Sequence, residues 1–399
     1  MKSNSKYHIT MNSLKTLLTL SIILFSLHAA GENRTDKLQT YVLETPYEVR
    51  DIQVPETARR PKNVILMIGD GMSLMHVYTA WAANRGALYI TDSHPHVGLA
   101  KALCVDRLIT DSGAGGTFLA TGKMTRYHSI GVDAEGQPVP SLVDFAKDRG
   151  MGAGMAFTCR IWDATPSDFN CHQVDRDKEF DVAADYAKCR MDYVCGGGWK
   201  KMVDRPDGRN IMKELEARGY HLAYTWDEAR ALQQLPIFAL TDEVDTPLPA
   251  DRGDRLAQST LKGLDLLKAQ SSKQTPKGER TKGFFFMVEG SQLDDYGHFN
   301  DLPMLMQETH DFDRTVGAVL EWAARDGETL VVVTADHETG GLTLVDGNLE
   351  RGEVQCKFST TGHSGLMVPV YAYGPGASLF DGVYTQGEVN EKIQQLLTK

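Results

Sequence analysis

The segment Phe284-Phe-Phe-Met-Val-Glu-Gly-Ser-Gln-Leu-Asp-Asp-Tyr-Gly-His298 joins an apolar run to a set of metal-binding side chains. The five apolar residues predict a buried strand, and Glu289, Asp294 and His298 follow where that strand ends. Carboxylates and imidazoles are common ligands of divalent cations in proteins. The segment therefore predicts a metal site at the end of a buried strand.

The same arrangement recurs elsewhere in the chain. Asp70 follows a second apolar run, Asp336 and His337 follow a third, and His363 in a Gly-rich loop offers another imidazole. Nitrogen-rich sites of this kind favour Zn²⁺, and all-oxygen sites favour Mg²⁺. Each motif alone also has a structural explanation: a carboxylate in a glycine turn, a solvated turn or a surface loop. Together they predict a hydrolase that holds several metal ions.

Strand-like apolar runs alternate with helical patterns along the chain. Strands are predicted at 63–69, 97–103, 152–157, 221–224, 283–288, 329–334 and 368–373. Helices are predicted near 73–84, 113–121, 141–149, 179–187, 209–218, 255–269, 303–324 and 387–398. This alternation predicts an α/β fold, a three-layer sandwich with a central, mostly parallel β-sheet flanked by helices on both faces. Because ligands in such folds bind beyond the carboxyl ends of the strands, we expect the metal ligands to converge there.

Three segments are predicted. Residues 1–30 combine a positive flank, a short apolar core and a small-residue cleavage site, which is typical of a cleavable signal peptide. The protein is therefore predicted to be periplasmic or secreted, with no stable membrane anchor after cleavage. A polar N-terminal arm or edge segment is predicted at residues 31–62, and a single α/β domain is predicted at residues 63–399. Within that domain, 225–253 predict an irregular excursion and 270–282 a solvated loop.

Charge and cysteine content narrow the possible partners. A formal net charge of −11 argues against nucleic acid as a specific partner, because binding a phosphate backbone requires a basic face. A small anionic substrate is still compatible, since bound cations would reverse the local sign. The six cysteines show no CxxC spacing, so a thiolate zinc site is not expected. An exported protein can form disulfides, and Cys189 with Cys195 is the candidate pair on sequence proximity.

Ser112 is the candidate nucleophile. It lies in Thr110-Asp-Ser112-Gly-Ala-Gly-Gly-Thr117, where small residues can begin a helix whose free N–H groups attract an anion. The alternative is an ordinary helix-capping serine. A serine hydroxyl needs a base or a metal for activation, and no Gly-x-Ser-x-Gly elbow is present around it. A metal ion is therefore the predicted activator.

Arg176 is the candidate phosphate ligand, because a guanidinium binds two phosphate oxygens at once. The alternative is a surface arginine paired with Asp175 or Asp177. Upstream, the segment Asp163-Ala-Thr165-Pro could add oxygen ligands to a Mg²⁺ site.

In this order along the chain, the motifs resemble those of the alkaline phosphatase family, from about Asn63 to Gly374. The Ser112 segment resembles the family's nucleophile segment, and Asp163 to Arg176 resembles its third-metal and phosphate-clamp segment. The spacing of the remaining ligands also resembles the family pattern: Glu289, Asp294 and His298, then Thr334-Ala-Asp336-His337, then Thr361-Gly-His363.

The resemblance implies hydrolysis of phosphate monoesters through a phosphoserine intermediate, with two Zn²⁺ ions, one Mg²⁺ ion and a homodimer. One Zn²⁺ would take Asp294, His298 and His363. The second would take Asp70, Asp336, His337 and the Ser112 oxygen. The Mg²⁺ would take Asp70, Thr165 and Glu289, with Asp163 in its shell or just outside it. Arg176 would clamp the phosphate.

Other activities of the superfamily remain alternatives. A sulfatase would show Cys or Ser followed by x-Pro-x-Arg, and a phosphodiesterase more often carries a threonine nucleophile. A non-enzymatic metal- or phosphate-binding protein would show a broken ligand set.

The chain departs from the family pattern at Asp295, where members often carry Lys, His or Trp; this acid leaves the pH optimum and the third metal open. Only 25 residues separate His337 from His363, so no large inserted domain is expected there.

Overall fold

The computed structural model describes residues 34–56, 60–271 and 282–398. The predicted signal peptide, 1–30, lies outside the described residues, as does most of the predicted loop at 270–282.

The described strands are β1 (Gln39–Val42), β2 (Asn63–Gly69), β3 (His96–Lys101), β4 (Gly152–Arg160), β5 (Tyr193–Gly197), β6 (His221–Ala223), β7 (Ile237–Leu240), β8 (Phe284–Gly290), β9 (Thr329–Thr334), β10 (Glu338–Thr339), β11 (Leu342–Asn348), β12 (Glu353–Phe358), β13 (His363–Ser364), β14 (Val368–Tyr373) and β15 (Gly382–Thr385). The described α-helices are α1 (Leu74–Ala83), α2 (Tyr89–Asp92), α3 (Ser112–Thr121), α4 (Leu142–Asp148), α5 (Ala164–Asp168), α6 (Glu179–Asp185), α7 (Lys200–Val203), α8 (Ile211–Ala217), α9 (Trp226–Ala231), α10 (Pro249–Arg252), α11 (Arg255–Ser271), α12 (Gln292–His298), α13 (Leu302–Asp326) and α14 (Gln386–Thr398).

Ten strands form the central sheet in the order β15-β3-β14-β9-β2-β8-β4-β5-β7-β6. All neighbouring pairs are parallel except the two that involve β14, which runs antiparallel to β3 and to β9. Strands β2, β8 and β9 are buried along their whole length, as continuous apolar runs are when helices cover both faces of a sheet. The predicted α/β sandwich with a mostly parallel sheet is confirmed.

The register of the central strands brings the predicted ligands to one edge. Ile68 of β2 pairs with Glu289 of β8 on one side and with Thr334 of β9 on the other. Because these strands are parallel, Asp70 and Asp336, which follow β2 and β9, emerge at the edge where β8 also ends. His363 precedes β14, yet it lies at the same edge, since β14 runs in the opposite direction and therefore begins there.

The prediction of an irregular excursion at 225–253 was wrong. Strand β7 lies in this segment, fully buried and paired with both β5 and β6 in the central sheet. Its apolar run is only four residues long and is flanked by turn residues, so it gives little periodic signal. Sheet pairing, which is a tertiary interaction, makes it a strand.

The predicted Cys189–Cys195 disulfide was also wrong. All six cysteines lie in the described part of the chain, and each is a buried free thiol. Cys189 lies beside Tyr220, whereas Cys195 of β5 lies beside Ser259 of α11, so the two thiols face different surroundings. Burial raises the pKa of both thiols to about 11, which makes them unreactive at neutral pH.

The predicted N-terminal arm contributes an edge strand. Strand β1 pairs antiparallel with β12, and β12 pairs with β11, in a three-stranded sheet. The segment between His337 and His363 is thus filled by short β-structure. Among the described residues, we find no helix that is long and apolar enough to cross a bilayer.

Candidate metal centre

The first group of candidate ligands, which we name the α12 cluster, consists of Asp294, His298 and His363. Helix α12 places Asp294 and His298 one turn apart on the same face. His298 Nε2 lies 3.2 Å from Asp294 Oδ2 and 3.2 Å from His363 Nε2. One ligand atom from each of the three residues lies within 4.8 Å of the others, which is close enough for all three to bind one ion.

Backbone carbonyls orient both imidazoles of the α12 cluster. His298 Nδ1 donates to the carbonyl of Thr361 at 2.6 Å, and His363 Nδ1 donates to that of Thr110 at 2.8 Å. A carbonyl only accepts, so Nδ1 of each ring carries a proton. Each Nε2 therefore faces Asp294 as the potential metal-binding atom, in the way that outer partners usually orient histidine ligands.

The second group, the β9 cluster, consists of Asp70, Asp336 and His337. His337 Nε2 lies 3.3 Å from Asp336 Oδ2 and 3.5 Å from Asp70 Oδ1. Both of these oxygens are buried and have no hydrogen-bond partner among the described residues. Asp336 Oδ1, by contrast, accepts from the N–H of Gly71 at 3.1 Å. Buried carboxylate oxygens without donors are costly, and a cation between them would supply the missing partner.

Thr339 connects the two clusters, and the sequence analysis did not identify it. Its hydroxyl donates to Asp294 Oδ1, so its oxygen is left to accept from His337 Nδ1 at 3.2 Å. His337 Nε2 is then unprotonated, and its lone pair is directed at the two carboxylates of the β9 cluster. Strand pairing between Thr339 and His363 also stacks the rings of His337 and His363, with centroids 3.7 Å apart. The available signal in the sequence was a threonine hydroxyl two residues after the candidate ligand His337.

Ser112 lies beside the β9 cluster, with its Oγ 3.1 Å from His337 Nε2. The capping residue of α3 is Asp111, whose carboxylate accepts from the N–H of Ala114 at 3.2 Å. Ser112 is therefore not engaged as a cap, which removes the alternative explanation for it. Gly115 lets α3 approach the site, because a Cβ there would lie 2.4 Å from the backbone oxygen of Asp336.

The predicted oxygen ligands lie on the other side of Asp70. Thr165 Oγ1 donates to Asp70 Oδ2 at 3.3 Å. Glu289 is buried and accepts from the thiol of Cys159 at 3.6 Å. Burial, and then the charges of Asp163 and Asp336, raise the pKa of Glu289 well above its ordinary value. Asp70 thus lies between an imidazole-containing group and an all-oxygen group.

The alternative, in which Arg176 pairs with its sequence neighbours Asp175 or Asp177, is not observed. Arg176 Nη1 donates to Asp111 Oδ2 at 3.1 Å and its Nη2 to Asp163 Oδ1 at 2.8 Å. The other oxygen of Asp163 lies 2.9 Å from Arg160 Nη2. Two carboxylates therefore hold the Arg176 guanidinium next to the candidate nucleophile, and sequence reasoning missed the roles of Asp111 and Arg160.

The charged groups of the two clusters titrate abnormally. Burial, and then the charge of Asp294, raise the pKa of Asp336 to about 6, and burial raises that of Asp70 well above its ordinary value. Burial lowers the pKa of His337 and His363 to about 4. For His298 the effect of burial is outweighed by Asp294, which raises its pKa to about 9. Such crowding of buried acids and imidazoles fits a site built around cations.

The sequence profile of the alkaline phosphatase family matches residues 61–354, which include every candidate ligand above except His363. The chain belongs to the alkaline phosphatase family. It is 30% identical to alkaline phosphatase 4 of Bacillus subtilis (strain 168) over 368 residues, covering 86% of this chain and 73% of that protein. It is 27% identical to the alkaline phosphatase of Escherichia coli (strain K12), covering 93% and 97% of the two chains. This family member is a phosphoric monoester hydrolase.

Solved structures agree with the family assignment. The alkaline phosphatase of the Antarctic bacterium TAB5 is 32% identical and superposes with a TM-score of 0.78, covering 85% of this chain and 99% of that one. A point mutant of the TAB5 enzyme has Mg bound in the M3 site; it superposes with a TM-score of 0.76. Alkaline phosphatases are metal-dependent, and the donor sets of this chain are those that bind divalent cations.

Proposed function

We propose that the two clusters each hold one Zn²⁺ ion and that Ser112 is the nucleophile that forms the phosphoserine. The first Zn²⁺ would be held by Asp294, His298 and His363. The second would be held by Asp70, Asp336, His337 and the Ser112 oxygen. The observation that carries this proposal is the 3.1 Å approach of Ser112 Oγ to His337 Nε2, beside two buried carboxylate oxygens that lack donors.

The proposal extends to one Mg²⁺ ion held by Asp70, Thr165 and Glu289. An all-oxygen set suits Mg²⁺, and the hydrogen bond from Thr165 to Asp70 brings two of the donors together. Asp163 would lie just outside this shell, since each of its oxygens is already within ion-pair distance of an arginine.

The residues of the chain would act in two successive displacements. When bound, the Zn²⁺ ions supply Lewis acidity that favours the ionised serine and the departing alkoxide. Arg176 donates to two phosphate oxygens while Ser112 Oγ attacks phosphorus in line. The bond from phosphorus to the ester oxygen breaks, and the alcohol leaves. Water then attacks the phosphoserine from the vacated side, which releases inorganic phosphate and regenerates Ser112.

Replacing Arg176 by alanine should weaken inhibition by inorganic phosphate by about ten- to a hundred-fold, because the variant loses a bidentate charged contact and leaves two acids facing the anion. Metal content should stay unchanged, since Arg176 contacts none of the Zn²⁺ ligands. The inhibition constant and the metal-to-protein ratio are the measurements. Arg160→Gln is the control, because it breaks the other ion pair of Asp163. Equal phosphate inhibition in Arg176→Ala and the parent protein would contradict the clamp.

We propose that the protein is a homodimer, and an exposed apolar face of α1 supports this. Leu74, Tyr78 and Trp81 follow one another at helical spacing, and the rings of Tyr78 and Trp81 stack at 5.4 Å. The Tyr78 side chain is 52% exposed although it is a large hydrophobic residue. A symmetric dimer pairs one such face with its copy. Tyr78→Glu should therefore produce a monomer in light scattering, whereas Tyr224→Glu, at a tyrosine elsewhere that is 36% exposed, should not. A dimeric Tyr78→Glu variant would exclude this face.

We also propose export to the periplasm or beyond the cell. The support is the pattern of a positive flank, an apolar core and small residues in 1–30, which predicts cleavage. The remaining 31–62 and 63–399 would then form the arm and catalytic domain of the mature protein. N-terminal sequencing of the mature protein tests this proposal, and an intact leader would contradict it.

A further inference from the structure

An open cleft of about 330 Å³ adjoins the α12 cluster. His298 and His363 line one part of it, and Arg107, Leu108 and Tyr127 line another. No member of the β9 cluster lines the cleft. If the phosphoryl group is attacked from Ser112 beside the β9 cluster, the departing alcohol lies towards the α12 cluster. The cleft is therefore positioned to receive the alcohol part of the ester.

Arg107 presents a cation to this cleft without a carboxylate partner among the described residues. Its guanidinium carbon lies 3.9 Å from the centre of the Tyr127 ring, which in turn stacks on the ring of His128 at 4.5 Å. The nearest acid in sequence, Asp106, is engaged elsewhere, because its carboxylate accepts from the backbone N–H of Tyr127 at 2.9 Å. The aromatic face thus holds the guanidinium in place and leaves its N–H donors available.

This cation is unusual for its surroundings. The chain has a formal net charge of −11, and the neighbouring Arg176 is already paired with Asp111 and Asp163. A guanidinium that lines the cleft and has no ion-pair partner in the described part of the chain is a donor for a carboxylate or phosphate, which it can bind with two parallel hydrogen bonds. Leu108, exposed beside it, offers an apolar contact to the carbon frame of the alcohol.

We propose that Arg107, held over Tyr127, makes the enzyme prefer phosphate monoesters whose alcohol carries a second anionic group. This inference rests on the proposed attack by Ser112, which decides that the cleft receives the leaving alcohol. Arg107 is a specificity residue: it contacts the leaving group and leaves the phosphoryl chemistry unchanged.

The test compares two esters of equal size, 4-carboxyphenyl phosphate and 4-carbamoylphenyl phosphate, which differ in one negative charge. We expect the parent protein to favour the carboxylate by about five-fold in kcat/KM, the effect of one partly solvated ion pair. Arg107→Gln should abolish that preference, chiefly by lowering kcat/KM for the carboxylate ester, and Arg107→Lys should retain part of it. The preference should decrease as salt is raised.

Arg126→Gln is the matched control. Arg126 is also exposed on a neighbouring loop, but its guanidinium donates to the carbonyl of Ala134 at 2.9 Å and does not line the cleft. Its loss should leave the preference intact, which separates a local contact from an effect of total charge. An unchanged preference in Arg107→Gln, or equal use of both esters by the parent protein, would overturn the proposal while the phosphatase function stands. Failure of the parent protein to hydrolyse either ester would instead overturn the proposed function itself.

Discussion

Ser112→Ala is expected to lower the turnover of phosphate monoesters by roughly three to five orders of magnitude. The variant has no oxygen that can form the phosphoserine, and only direct attack by water remains. Ser112 Oγ is the group 3.1 Å from His337 Nε2, and the methyl group of alanine cannot replace it in that position. Steady-state turnover, together with trapping of a phosphorylated protein at low pH, measures the effect.

The metal content of Ser112→Ala should equal that of the parent protein, because Asp70, Asp336 and His337 remain in place. Ser378→Ala, at an exposed position in the short 3-10 helix Ala377–Phe380, is the control for preparation of the variant and should keep full activity. Full turnover in Ser112→Ala would remove this residue from the mechanism. A loss of both metal and activity would assign it a structural role at the cation site instead.

Removing the metal ions with a chelator should abolish activity, and adding Zn²⁺ together with Mg²⁺ should restore it. Without cations, the acids and imidazoles face each other in the buried β9 cluster and in the half-buried α12 cluster. In the metal-free protein a proton on His298, whose pKa is about 9, takes the place of a cation next to Asp294. Metal binding therefore competes with protons and should strengthen as the pH rises towards 9.

The metal-free protein should lose stability between about pH 6.5 and pH 9. The folded state raises the pKa of His298 to about 9, that of Asp295 to about 7, and that of Asp70 and Glu289 well above normal. In this pH range the folded state thus binds more protons than the unfolded state, and stability falls as the protons dissociate. The lowered pKa values of His337 and His363 act in the opposite direction, but only between about pH 4 and 6.5.

The increase in melting temperature on adding Zn²⁺ and Mg²⁺ should accordingly be larger at pH 8.5 than at pH 6. His363→Ala should reduce this increase. His128→Ala should not, although His128 belongs to another metal-like group with Asp175 and Asp177, because that group is more exposed. Undiminished activity in protein shown to be free of metal would refute the assignment of both clusters, and an equal increase at both pH values would refute the coupling to protons.

The prediction of the central sheet from sequence succeeded where buried strands are long and apolar. The runs in β2, β8 and β9 have few other ways to bury so much apolar surface, so their strand character is local information. The position of the carboxylates that follow these strands could also be predicted from the sequence, because the carboxyl ends of parallel strands lie at a common edge of the sheet. Short elements such as β7, which carry little periodic signal, were missed.

The sequence alone thus determined the family, the sheet and a set of candidate ligands, since burial and chain direction act on contiguous residues. Tertiary structure decided which side chains meet. The reversed direction of β14 brings His363 to the edge of the sheet where the other candidate ligands lie. Asp111 and Asp163 hold the Arg176 guanidinium by ion pairs. Cys189 and Cys195, which are close in sequence, remain free thiols. Those outcomes depend on strand direction and on partners far away in the chain, which no local pattern encodes.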